Sequence, residues 1–226
     1  MKYVFGVDIG GTTVKIGLFD VEGNVLDKWE IPTRTENDGE EILPDVADSI
    51  REKMKQMDKD AIAGVGVGAP GPIDAGGVVH RAVNLGWKTF NVKETLEALI
   101  NLPVRAGNDA NVAALGEMWM GGGKGYKDLV VVTLGTGVGG GIIVDGRMIS
   151  GSTGAAGEIG HIHVDDTETD VCNCGNKGCL EQFASATGIT RLANKKLAST
   201  DMDSVLRGGE VSAKTVFDAV KARDPL

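Results

Sequence analysis

The feature that most constrains the fold is a repeat. An apolar run, a short Gly/Thr turn and a second apolar run occur twice. The first copy is residues 3–7, Gly10-Gly11-Thr12-Thr13 and residues 14–19; the second is residues 129–134, Gly135-Thr136-Gly137 and residues 139–144. Turns this short join antiparallel strands. A further strand at 25–31 follows the turn Glu22-Gly23-Asn24, so the chain opens as an antiparallel meander and not as a βαβ unit. Two copies of one unit imply two similar α/β subdomains, residues 1–107 and 108–226.

The segments between the copies read mostly as helices and buried strands. Over residues 40–57, Ile42, Leu43, Val46, Ile50 and Met54 form one stripe at helical spacing, with Pro44 in the first turn, where proline is tolerated. Residues 61–67 are an apolar strand that ends in the rigid loop Gly68-Ala69-Pro70-Gly71-Pro72. Asn91 can cap a helix at 92–100. A strand at 104–106 precedes a helix at 110–120, and Gly121–Gly125 is a hinge-like loop. Helices are expected at 181–186, 188–197 and 213–222, the last capped by Ser212.

Composition removes several classes of function. A net charge of −9 disfavours a nucleic-acid surface, which needs clustered Lys and Arg. No apolar run approaches the roughly 20 residues that cross a bilayer. Met1-Lys2-Tyr3 leads straight into a strand pattern with no signal peptide, so a cytoplasmic location is expected. The 34 glycines fall in short runs, which implies turns that approach something closely.

Each glycine turn can do chemistry. The tip Gly10, Gly11, Thr12, Thr13 leaves backbone N–H groups unobstructed and adds hydroxyl donors, a cradle for phosphate oxygens. Asp8, at the end of the preceding strand, can hold a hydrated Mg²⁺. A strand follows the tip, so this is no dinucleotide fingerprint, and there is no Gly-Lys-Ser/Thr of a P-loop. With Gly135, Thr136 and Gly137, the two tips suit a triphosphate clamped between two domains. In Asn108-Asp109 a carboxylate stands at a helix start. It is either a cap or, between two phosphate cradles, a general base for an attacking hydroxyl. All three cysteines, Cys172, Cys174 and Cys179, lie in one polar, turn-like window. An odd count in a reducing compartment favours zinc over disulfides, and a histidine completes a tetrahedral set. His161 and His163 are both near; alternate residues of an extended segment point to opposite sides, so one of them is the ligand. His80 reads as surface.

Taken in order, Asp8-Ile9-Gly10-Gly11-Thr12, Asn108-Asp109, Leu134-Gly135-Thr136-Gly137-Val138-Gly139-Gly140-Gly141, Gly157-Glu158-Ile159-Gly160-His161 and the cysteine window resemble the ROK family (repressors, open reading frames and kinases), and within it the bacterial ATP-dependent glucokinases. The resemblance implies the actin/hexokinase-like, ribonuclease H-like ATPase fold, with two α/β domains around a cleft. It implies transfer of the ATP γ-phosphoryl group, with Mg²⁺, to the sixth hydroxyl of glucose. Asp109 would be the base; Asn84, Asn108, Glu158, His161 and Glu181 would bind sugar hydroxyls; His161 would join Cys172, Cys174 and Cys179 on a structural zinc. A homo-oligomer, dimer or tetramer, is implied for the full-length form. Family members usually run near 300 residues, so a chain ending at Leu226 is expected to lack part of its large domain and much of the adenine pocket. A repressor's N-terminal helix-turn-helix is also missing from the pattern. Other readings are a kinase for fructose, mannose or an N-acetylated amino sugar, a non-catalytic sugar sensor, and a zinc-stabilised fragment without turnover.

Overall fold

The computed structural model describes residues 2–226. They form two compact units: residues up to 131 with Gly141–Gly157, and Val132–Gly140 with Glu158–Leu226.

In the first unit, β1 (Tyr3–Ile9), β2 (Thr13–Asp20) and β3 (Val25–Pro32) pair antiparallel, as the meander pattern requires. A short turn of helix, α1 (Glu36–Gly39), precedes α2 (Ile42–Met54). Helix α2 is shorter than the periodic pattern because its end tightens. The N–H groups of Gln56 and Met57 reach the carbonyls of Lys53 and Met54, three residues back. Strand β4 (Ile62–Ala69) lies parallel to β1. A two-stranded ribbon of β5 (Val78–Val79) and β6 (Phe90–Asn91) leads into α3 (Val92–Ile100), capped as expected by the Asn91 side chain on the Glu94 N–H. Strand β7 (Val104–Asn108) pairs parallel with β4, giving the sheet order β3-β2-β1-β4-β7.

Alternation along the strands places the core. Phe5, Val7 and Ile9 of β1, Val14, Ile16 and Leu18 of β2, and Val65, Val67 and Ala69 of β4 are buried with the stripes of α2 and α3. Each fully buried aliphatic side chain contributes about 1.5–3 kcal/mol. On β4 the intervening positions are Gly64, Gly66 and Gly68. Here helix α4 (Asp109–Met120) comes close: a Cβ on Gly68 would stand 3.6 Å from the Asp109 Cα and 3.7 Å from the Val112 Cβ. The small residues on this face bring the start of α4 down onto the ends of β4 and β7.

A separate sheet of order β10-β9-β8 follows, made of β8 (Leu129–Leu134), β9 (Val138–Val144) and β10 (Arg147–Met148). The tip of its β8–β9 hairpin belongs to the second unit. That unit also holds the cysteine loop and the helices α5 (Glu181–Ala184), α6 (Ala186–Ser199) and α7 (Ala213–Lys221). The helix expected at 181–186 breaks at Ser185. Its backbone is extended and its hydroxyl oxygen accepts the Gly188 N–H, so it caps α6 instead of continuing α5. Ser212 and Thr215 form a capping box on α7. Among the described residues no helix is long and apolar enough to cross a membrane.

Candidate active site and metal centre

The first unit gathers one set of predicted residues. Asn108, and not Asp109, is the N-cap of α4: its Oδ1 accepts the Asn111 N–H at 3.2 Å, and its Nδ2 donates to the Gly71 carbonyl at 3.1 Å. Asn108 is buried by these contacts, and Asp109 is released from capping. Asp109 Oδ1 accepts the adjacent Ala110 N–H at 2.7 Å. Asp109 is exposed as a residue, yet crowding around its carboxyl pushes its pKa above the usual carboxylate range, and the charge of Asp8 pushes the same way. A raised pKa makes this carboxylate a stronger base than an ordinary aspartate.

The first glycine tip lies beside them. Gly10 N–H donates to the Thr13 carbonyl at 3.1 Å, and Thr33 braces the turn through its hydroxyl on the Gly10 carbonyl at 2.7 Å. Gly11 and Thr12 are exposed. A Cβ on Gly11 would lie 3.8 Å from the Asn84 carbonyl oxygen, so the Asn84 loop adjoins the tip. Asn84 is exposed on a single 3₁₀ turn, anchored by buried Leu85 and by Trp87, whose Nε1 donates to the Gly39 carbonyl at 3.0 Å.

The second unit gathers the rest. The ligand atoms of His161, Cys172, Cys174 and Cys179 all lie within 4.8 Å of one another. Cys174 and Cys179 Sγ are 3.6 Å apart, and Cys172 Sγ is 3.8 Å from His161 Nδ1. Bond lengths of 2.0–2.3 Å around a tetrahedral zinc put its ligands about 3.5–3.8 Å apart, so the donor set fits that ion. Burial pushes the Cys179 thiol up to about 12, with the neighbouring thiols adding to it, and burial also raises Cys172. Burial acts the same way on Cys174, but the Asn176 N–H and the two other thiols outweigh it and lower its pKa. A divalent cation would take up these thiols as thiolates.

The choice between the two histidines is visible in the geometry. His161 ends a 3₁₀ turn and faces the thiols, while its Nε2 stands 3.9 Å from Glu158 Oε2. His163 faces away: its ring nitrogens meet the Lys177 carbonyl at 2.9 Å and Asp166 at 2.8 Å, contacts that raise its pKa. His80 is on the surface, as expected.

At the second tip, Gly135 N–H donates to the Gly137 carbonyl at 3.0 Å. Glu181 Oε2 accepts the Val138 N–H at 3.1 Å, while Oε1 lies 3.8 Å from Cys172 Sγ. A cavity of about 400 Å³ opens beside the tip, lined by Thr136, Thr187, Thr190, Arg191, Asn194 and Ser212 among others. Sequence reasoning missed Gln182, Ser185 and Thr187, which hold this region together. Their partners lie up to 51 residues away along the chain, and no local spacing announces such bonds.

Comparison with known proteins gives the family. A model of the ROK family matches residues 4–225. The chain is 44% identical over 230 residues to a glucokinase of Halalkalibacterium halodurans, covering 99% of this chain and 70% of that protein. It is similar to a crystal structure of a ROK family glucokinase from Streptomyces griseus in complex with glucose and AMPPNP, with a TM-score of 0.79 and 34% identity over 99% of this chain and 72% of that one. It is also similar to a ROK family transcriptional regulator homologous to the E. coli MLC protein, with a TM-score of 0.86 and 26% identity over 99% of this chain and 57% of that one. The chain thus spans between 57% and 72% of the length of these three proteins.

Proposed function

The chain belongs to the ROK family, with its actin/hexokinase-like fold, and on that premise we propose that it is an ATP-dependent glucokinase. The observation that carries the reading is Asp109. Asn108 caps the helix, so the next residue presents a carboxylate of raised pKa beside the first glycine tip. In the proposed reaction Asp109 accepts the proton of the sugar's sixth hydroxyl as that oxygen attacks the γ-phosphorus of ATP. The bond from the γ-phosphorus to the bridging oxygen breaks, and ADP and glucose 6-phosphate leave. Gly10, Gly11, Thr12 and Thr13, and separately Gly135, Thr136 and Gly137, would donate backbone and hydroxyl hydrogen bonds to the phosphates. The Mg²⁺ that accompanies ATP supplies positive charge for those phosphates, and Asp8 would hold its water shell.

Asn84, Asn108, Glu158, His161 and Glu181 would bind the sugar's other hydroxyls. These roles come with the resemblance, and a division near Gly107 comes from the internal repeat. Zinc on His161, Cys172, Cys174 and Cys179 would fix the imidazole's orientation for that task. The matches to glucokinases favour glucose over other hexoses. The similarity to a regulator favours a second reading, a sugar-binding protein without turnover. A coupled assay decides between them. Incubation with ATP-Mg and glucose, fructose, mannose or N-acetylmannosamine should give turnover fastest with glucose. Binding of glucose with no turnover on any sugar would select the second reading.

A further inference from the structure

Residues 179–188 join the metal centre to the second glycine tip, within the second unit throughout. At the metal end, buried Gln182 accepts the Cys179 N–H through Oε1 at 3.1 Å and donates from Nε2 to the Asp170 carbonyl at 3.0 Å, so it ties the two sides of the cysteine loop together. Its neighbour Glu181 reaches the Val138 N–H with one oxygen and approaches Cys172 with the other. At the tip end, Ala186 N–H donates to the Gly135 carbonyl at 2.9 Å and the Thr187 hydroxyl to the Thr136 carbonyl at 2.7 Å. Between these ends, fully buried Ser185 donates its hydroxyl to the Glu181 carbonyl at 2.7 Å and meets Thr187 Oγ1 at 3.0 Å. The tip therefore accepts two hydrogen bonds from, and donates one to, a segment whose first residue is a candidate metal ligand. Apart from a 3₁₀ turn at Ile159–His161, residues 159–179 contain no helix and only isolated bridges; side chains of 182–195 hold the loop, with Gln182 on the Asp170 carbonyl and Arg191 on Glu168 and Asp170, and a metal would add four further attachments.

We propose that the metal centre holds the Gly135–Val138 turn in shape through this segment, with Thr187 as the positioning residue, so that metal occupancy and nucleotide affinity are coupled. The nucleotide half of this statement rests on the reading of the turn as a phosphate cradle; the structural half does not. Coupling of this kind is reciprocal: a nucleotide that binds the ordered turn also retards loss of the metal.

Amide hydrogen exchange tests the structural half. Exchange at Thr136, Gly137 and Val138 is compared in zinc-loaded protein and in protein stripped by a chelator. Stripping should speed it at least about tenfold at Val138, in line with local opening energies. Unchanged exchange in stripped protein overturns the proposal. Should stripping unfold the chain, the loaded variants decide: Thr187→Val loses the donor and Thr187→Ser keeps it. Faster exchange at the tip and faster zinc release to chelator in Thr187→Val, with Thr187→Ser close to wild type, support the coupling. Equal rates in all three proteins overturn it. Calorimetry with AMPPNP reads the nucleotide half, where loaded protein should bind about fivefold or more tightly than stripped protein. Loaded protein that binds no AMPPNP removes the phosphate reading, while the exchange data still decide the coupling.

Discussion

Asp109 is available for chemistry because of its neighbour. Asn108 takes up the cap of α4 and the Gly71 carbonyl, so the carboxylate that follows is spared a structural duty. Sequence alone favours a cap for Asn108-Asp109 taken by itself and a base once it is set between the two glycine turns; which of the two residues caps depends on backbone angles that spacing does not encode. Asp109→Asn should lower kcat by about 10²–10⁴ and leave glucose affinity within about tenfold, since the amide still hydrogen-bonds but cannot take a proton. Steady-state kinetics and glucose calorimetry on the same variant check both halves; near-normal turnover would remove the base assignment. The pKa shift has its own sign. A carboxyl whose folded pKa is raised is favoured when protonated, and that contribution fades as pH rises from the unfolded value through the folded one. The acid limb of kcat/KM should therefore lie above the ordinary Asp value of 3.8, and Asp109→Asn should melt no lower than wild type at neutral pH. His163 shows the opposite chemistry. Asp166, first, and the Lys177 carbonyl hold its imidazolium, so its pKa lies above 6.5. Its contribution to the cysteine loop is complete below the unfolded pKa and is lost as pH rises through the folded one. An NMR titration of zinc-loaded protein should place the His163 midpoint above 6.5; a midpoint at or below that value would mean the pairing is absent in solution.

At the scale of elements, the site depends on how closely α4 can lie against its surroundings. A Cβ on Gly141 would overlap the Ala114 methyl and stand 2.9 Å from the Ala110 carbonyl. Gly141→Ala should therefore push the first turn of α4, which carries Asp109, away from its seat. The expected cost is about 1–3 kcal/mol of stability, as for other overpacking changes, with a fall in kcat larger than any change in glucose affinity. Denaturant melts and kinetics check it, and a variant of wild-type stability and rate would show that α4 has slack there. The strands β1–β4 and β7–β9, the α2 stripe and the capped helices α3 and α7 were legible because each follows a local rule: alternation, helical spacing, or a cap at a fixed offset; the two-residue strands β5, β6 and β10 are too short to carry a pattern. The break at Ser185 was not, because Ser185 caps α6 through a residue three ahead while its own neighbours read as continuous helix. The metal set was half legible. Three cysteines in one window announce an ion, but spacing left His161 and His163 open; the resemblance pointed to His161, and the physical reason is the 3₁₀ turn that aims its ring at the thiols while the other ring goes to Lys177 and Asp166. The α1 turn was invisible for a different reason: Asn37 and Asp38 adopt left-handed backbone angles that non-glycine residues rarely take.

At the scale of the whole molecule, charge sets how the two substrates meet the chain. The net charge is −9, and Asp8 and Asp109 both stand near the first glycine tip, where phosphates are proposed to bind. The tips themselves, Gly10-Gly11-Thr12-Thr13 and Gly135-Thr136-Gly137, contain no Lys or Arg. Recognition of phosphate there depends on short-range hydrogen bonds and on Mg²⁺, while the long-range field repels an anion. Glucose is neutral and feels no such field. Salt should therefore separate the two substrates. The Debye length falls from about 30 Å at 0.01 M to about 8 Å at 0.15 M ionic strength, which screens the repulsion and leaves contacts within the site almost untouched. Over that range KM for ATP-Mg should fall, by a few-fold at most given the screening of exposed charges, while KM for glucose stays constant. Initial rates at fixed Mg²⁺ with a non-chelating salt measure both. A KM for ATP-Mg that rises with salt would mean that the field at the donor site is positive, and that cationic side chains not yet assigned to the site hold the phosphates.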